Sequence, residues 1–164
     1  MPDNFAAIKL FDDALAAYIR EDFKTSIKLF SQALKHDRKF ALVYSSRGAA
    51  YLKTNKLTKA ISDLTRAVNL EPGDARSFHL RGLAYKKAGE PAQAYRDFDR
   101  AIEIDPDLLA AYRNRDSVLD KDVDDRGEME DQEMADHLAS MTDAYALSEH
   151  DQLMRMGAIP IPGG

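Results

Sequence analysis

Cysteine is missing from all 164 residues. That removes disulfides, thiolate nucleophiles and sulfur-ligated metals from consideration, and suits a reducing cytoplasm. Long apolar runs are missing too: no stretch approaches the roughly 18–20 residues a membrane span needs. The start, Met1-Pro2-Asp3-Asn4, has neither a basic opening nor an apolar run, so no secretory signal is expected. No Lys/Arg stripe is concentrated enough for a nucleic-acid surface. There is no Gly-rich phosphate loop, and no Ser or Thr sits in a nucleophile-elbow context. The four histidines are His36, His79, His137 and His150. The last two are thirteen apart, which is not the spacing of two ligands on one helix turn. The expectation is therefore a protein with no catalytic residues, no metal, no cofactor, no nucleic-acid partner and no membrane partner.

What is present is charge and helix-forming pattern. The chain is 45% hydrophobic and 31% charged, a composition that suits a soluble, helix-rich domain. Its net charge of −5 hides a split. Residues 1–115 hold 20 Lys/Arg and 15 Asp/Glu, whereas residues 116–164 hold 3 and 13. A body of net +5 thus precedes a tail of net −10.

The body repeats. Tyr44-Ser-Ser-Arg47-Gly48-Ala-Ala-Tyr51 aligns with Phe78-His-Leu-Arg81-Gly82-Leu-Ala-Tyr85 at a displacement of 34 residues. The same shift carries Ala60 to Ala94, Asp63 to Asp97, Leu64 to Phe98, Ala67 to Ala101 and Pro72 to Pro106. A fainter copy lies upstream, with Leu10, Ala14, Ala17, Ser26, Phe30 and Ala33 at the corresponding places. Half a copy lies downstream from Tyr112 to Leu119. Apolar residues recur at helical spacing throughout. Small residues (Gly48, Ala60, Ala67 and their partners) fall where two helices must approach closely, and large ones fill the spaces between. Asn55 and Gly89 stand where a left-handed residue ends a helix at little cost. Pro91 fits a first helical turn, and Pro72 and Pro106 close helices. Helices are expected over 7–20, 23–36, 41–54, 57–70, 75–88, 91–104 and 108–120.

This pattern, aromatic-x3-Gly-x2-Tyr followed by Ala-x3-Phe, Ala and Pro, resembles the tetratricopeptide-repeat (TPR) family across about residues 7–119. The resemblance implies an all-α right-handed superhelix of three helical hairpins (7–40, 41–74, 75–108) and a capping helix (108–120). It implies a concave groove lined by the first helix of each pair. Carried onto this chain, the groove holds Ile8, Phe11, Leu15 and Tyr18, then Leu42, Ser45, Ala49, Leu52 and Lys53. Arg76, His79, Leu83, Lys86 and Lys87 follow, with Arg113 from the cap. One end is apolar and the other basic. Some family members grip acidic chaperone tails with a Lys/Asn/Arg carboxylate clamp. The matching positions here are Phe11, Leu15, Ser46, Arg76 and Leu80, of which only Arg76 is cationic. Moved by one repeat they are Ser45, Ala49, Leu80, Ala110 and Asn114, which is no better, so that clamp is not expected.

The tail carries two further patterns. Asp120, Asp122, Asp124, Glu128 and Asp131 have the spacing of a twelve-residue calcium loop, but Asp125 replaces the turn Gly and Asp131 the bidentate Glu. A solvated acidic linker over 120–131 is expected instead. Within 132–156, Met134, Leu138, Met141 and Tyr145 make one apolar stripe of an otherwise acidic helix, and residues 157–164 form a loose end. The leading expectation is a cytoplasmic adaptor or scaffold that binds a peptide or helix of a partner protein in the groove. Its own acidic helix, or that of another copy, is a candidate inhibitor of that groove. A dedicated chaperone for a secreted substrate and a self-assembling structural protein are the alternatives.

Overall fold

The computed structural model describes residues 4–125, with side chains to Asp120. The chain divides into two compact units, residues 1–120 and 121–164. Of the second, only the helical residues 121–125 are described. The amphipathic segment 132–156, its proposed docking and the end 157–164 all lie outside the described residues.

Seven helices and no strand make up the described residues. They are α1 (Asn4–Ile19), α2 (Phe23–His36), α3 (Ala41–Lys53), α4 (Leu57–Leu70), α5 (Ala75–Lys87), α6 (Pro91–Ile104) and α7 (Leu109–Asp125). The first six pair into three hairpins that stack in an all-α superhelix. Two boundaries differ from expectation. α1 begins at Asn4 rather than near residue 7. α7 continues to Asp125, so the acidic run from Asp120 starts as helix rather than as a linker. A calcium loop over 120–131 would need that half to turn; residues 126–131 are outside the described set.

Each hairpin turns in the same way. Glu21, Asn55 and Gly89 have φ of 62°, 56° and 76°, and they stand 34 residues apart. Beside them, the amides of Asp22, Lys56 and Glu90 donate to the carbonyls of Ala17, Tyr51 and Tyr85 at 2.9, 2.8 and 2.9 Å. The amides of Glu21, Asn55 and Gly89 donate to Tyr18, Leu52 and Lys86. This double closure satisfies carbonyls that a helix end otherwise leaves orphaned. Asp22 also caps α2, accepting from the Thr25 amide at 3.2 Å; hydrogen bonding to Thr25 holds its carboxyl below the usual value.

Packing repeats as well. Phe30, Leu64 and Phe98, again 34 apart, are fully buried, and each such side chain contributes roughly 1.5–3 kcal/mol. Ala33, Ala67 and Ala101 lie beside them in the interior. In the second and third hairpins a glycine on the facing helix admits the large group: a Cβ on Gly48 would stand 2.7 Å from Leu64 Cγ.

A polar ladder joins the hairpins. Arg47 clasps Asp63 through Nε and Nη2 at 2.6 and 2.7 Å, and Nη1 donates to Ser31 Oγ at 3.0 Å. Arg81 repeats this with Asp97 at 2.7 and 2.8 Å and reaches Thr65 Oγ1 at 3.4 Å. Each arginine thus ties its own hairpin to the one before it. Tyr44 and Tyr51 flank Arg47, and Phe78 and Tyr85 flank Arg81, at 5.6–5.9 Å, within cation–π range. Hydrogen bonding to Asp97, opposed by burial, holds the Arg81 guanidinium above its ordinary pKa. Arg115 continues the ladder to Asp99 at 3.1 Å.

The first helix differs on its outer face. Val43, Ser46 and Ala50 are buried in α3, but their counterparts in α1, Lys9, Asp12 and Ala16, are exposed.

Candidate partner-binding groove

The first helices of the hairpins, α1, α3 and α5, lie side by side. Residues 34 apart therefore form rows across them. One row runs Ile8, Leu42, Arg76. Ile8 is 49% exposed and Leu42 44%, and Arg76 is exposed. A second row runs Phe11, Ser45, His79 and, on α7, Arg113. A third runs Leu15, Ala49, Leu83, and a fourth Tyr18, Leu52, Lys86. Lys53 and Lys87 extend the basic side, with Ile19 exposed before them on α1. The surface is apolar on α1 and changes to basic on α5.

Several expected groove residues are not free to touch a partner. Phe11 is 8% exposed; its ring packs on Phe30 and Phe40 at centroid distances of 5.9 and 5.3 Å. It belongs to the core between the first two hairpins, because the bulky rings of α2 and of the α2–α3 loop close over it. Ser45 and Ala49 are buried, as is Leu52, and the Ser45 hydroxyl donates to the Leu42 carbonyl at 3.1 Å. These residues form the floor. Tyr18 is half-buried against Phe23, and Leu15 packs on the Phe11–Phe30 cluster. The exposed positions are Ile8, Leu42, Lys53, Arg76, Lys87 and Arg113, with His79, Leu83 and Lys86 half-buried between them.

At the basic end α7 supplies residues that the sequence reading did not place in the groove. Asn114 Nδ2 lies 2.9 Å from His79 Nε2. Lys86 Nζ donates to Ser117 Oγ, which donates in turn to the Asn114 carbonyl at 2.9 Å. Ser117 was reachable from the row rule, as the residue 34 beyond Leu83, and Asn114 as the last position of a clamp moved by one repeat. Burial holds the His79 imidazole below its ordinary pKa, and its ring lies 5.7 Å from that of Phe98. Arg76, Lys87 and Arg113 form no ion pair among the described residues.

Comparison with known proteins agrees with the fold. The family description "Tetratricopeptide repeat" matches residues 41–74 and 75–108. Residues 41–108 are tetratricopeptide repeats. "Protein SGT1 homolog" of Oryza sativa subsp. japonica is 30% identical over 73 residues, 44% of this chain and 20% of that protein. "Heat shock protein sti1 homolog" of Schizosaccharomyces pombe is 33% identical over 63 residues, 38% of this chain and 11% of that one. The chain thus matches about a fifth or less of these relatives' length. Among solved structures, the first TPR of Spaghetti (RPAP3) bound to the HSP90 peptide SRMEEVD superposes with a TM-score of 0.71. That match covers 73% of this chain and 94% of the other at 20% identity, a likeness of fold alone.

In this TPR stack the five positions matched to a carboxylate clamp do not make one. Phe11 and Ser46 are buried, Leu15 and Leu80 are half-buried, and Arg76 alone is exposed and charged.

Proposed function

We propose that the chain is a non-enzymatic adaptor that holds a segment of another protein across α1, α3 and α5. The observation that carries this reading is the row Ile8–Leu42–Arg76. Two large apolar side chains stand nearly half exposed on adjacent helices, at positions that the repeat presents in one line. Leaving them in water forgoes burial that contributes about 25 cal/mol per Å². A partner segment laid along the row recovers it. The relatives and the peptide-bound neighbour belong to the same class of interaction module, and they support an adaptor without naming its client. The clamp positions favour a partner other than a chaperone tail held by its terminal carboxylate.

Affinity capture by the full chain from cells that express it provides the test. The comparison uses wild type, the double variant Ile8→Asp with Leu42→Asp, and the control Thr58→Asp on α4. All three positions are exposed, so the variants should melt like wild type. A partner retained by wild type and Thr58→Asp and lost by the double variant supports the groove. Identical partners on all three would place binding elsewhere.

A further inference from the structure

The groove does not treat its two ends alike, and this sets the chemistry of its occupant. Every row turns from apolar or small to polar or cationic as it crosses from α1 to α5, apart from the one ending at Leu83. Ile8 and Leu42 lead to Arg76, and Tyr18 and Leu52 lead to Lys86. Two arginines at that end are not consumed by the fold. Arg76 and Arg113 are exposed and pair with no carboxylate among the described residues. This contrasts with Arg47, Arg81 and Arg115, whose guanidinium groups are held within the ladder. Beneath the free cations, His79, Asn114, Lys86 and Ser117 form one connected polar floor. A partner's carboxylates would meet oriented donors there.

We infer that the groove selects an extended peptide segment whose apolar residues precede or follow a cluster of Asp/Glu side chains. The apolar part lies over Ile8 and Leu42, and the acidic part over Arg76, Lys86 and Arg113. The inference rests on the groove reading above and adds the identity of the ligand's two halves. Neighbouring helices stand about 8–10 Å apart, and an extended chain advances about 3.3 Å per residue. One row step therefore spans about three residues. The expected spacing is two apolar residues three apart, then carboxylates beginning three further on. Recognition uses side-chain carboxylates, so a free C-terminus is not required.

The test uses the full chain and two synthetic ten-residue peptides, both amidated at the C-terminus and acetylated at the N-terminus. Each carries two leucines three residues apart; one continues with aspartates and the other with lysines at the same places. Fluorescence anisotropy should show the acidic peptide binding at least about tenfold tighter at low salt. The two affinities should converge as ionic strength rises, because contacts between exposed charges are screened. The double variant Arg76→Glu with Arg113→Glu should reverse the preference, and since both residues are exposed it should fold as wild type does. Equal affinities for both peptides, or a preference that survives the charge reversal, would overturn the acidic assignment and leave the groove itself standing. Binding of neither peptide at millimolar concentration would also overturn it; the capture comparison then judges the groove separately.

Discussion

A Cβ on Gly82 would stand 2.6 Å from Phe98 Cε1, so the third hairpin closes only because residue 82 has no side chain. Gly82→Ala must move a fully buried ring, and overpacking of this kind costs about 1–3 kcal/mol. Gly89 is a different case. A Cβ there meets nothing within 4 Å, but φ is 76°, and a left-handed residue with a side chain costs roughly 1–2 kcal/mol. Both alanine variants should lower the midpoint of urea unfolding. The cost of Gly82→Ala should shrink in the background of Phe98→Ala, which removes the ring the new methyl would meet, whereas the cost of Gly89→Ala should not change. An unchanged cost of Gly82→Ala in that background would contradict the contact.

Ser26 occupies the place of Ala60 and Ala94 in the other hairpins. It is fully buried, and its hydroxyl has no hydrogen-bond partner among the described residues. Leaving such a group unsatisfied costs about 1–3 kcal/mol. Ser26→Ala should therefore stabilise the chain and raise its melting temperature by a few degrees. A lower melting temperature would mean that the hydroxyl is bonded in solution.

The Arg81–Asp97 fork makes a second stability claim. Its side chains are 17% and 6% exposed, so removal of one partner leaves the other charge in a dry place. Asp97→Ala should cost about 1.5–3 kcal/mol. Asp63→Ala should cost a similar amount in the adjacent hairpin. Double replacement Arg81→Met with Asp97→Leu should cost less than Asp97→Ala alone, since no unpaired charge remains. Chemical denaturation of the three variants decides this.

His79 gives a pH signature. Its pKa in the fold lies below the ordinary 6.5 because burial disfavours the charged ring. With the Asn114 amide nitrogen facing it, Nε2 accepts, which also suits the neutral form. A depressed histidine pKa means that the unfolded chain binds protons first as pH falls. Its favourable contribution is present above pH 6.5 and lost below. The stability advantage of wild type over His79→Gln should shrink between pH 7.5 and pH 5. An advantage that stays constant or grows on acidification would contradict that sign.

Much of this fold was legible because backbone constraints leave few choices. Asn55 and Gly89 marked two hairpin turns, and the 34-residue shift carried Gly48 to Gly82 and Leu64 to Phe98 as equivalent small and large positions of one repeat. Glu21 was not legible as a third left-handed residue, since a glutamate carries no preference for positive φ. The arginine ladder was visible only as repeated letters. Nothing in one dimension shows that residues 16 apart face each other across a hairpin. The groove was legible as a set of rows but not as a surface. Row position gives the direction a side chain leaves its helix, whereas burial depends on what neighbours cover it. Phe11 fails on that point because Phe30 and Phe40 enclose it. The contact of Asn114 with His79 was not legible, because the two lie on helices two elements apart.

If α1, α3 and α5 together form the binding face, a bound segment perturbs all three. Amide chemical-shift mapping on the full chain, titrated with the acidic ten-residue peptide, tests it most directly. The largest shifts are expected at and around Ile8, Leu42, Arg76, His79 and Lys86, with small shifts at exposed positions of α2, α4 and α6 such as Lys28, Thr58 and Gln93. Saturable shifts concentrated on α2, α4 and α6, with Leu42 and Arg76 unmoved, would contradict it.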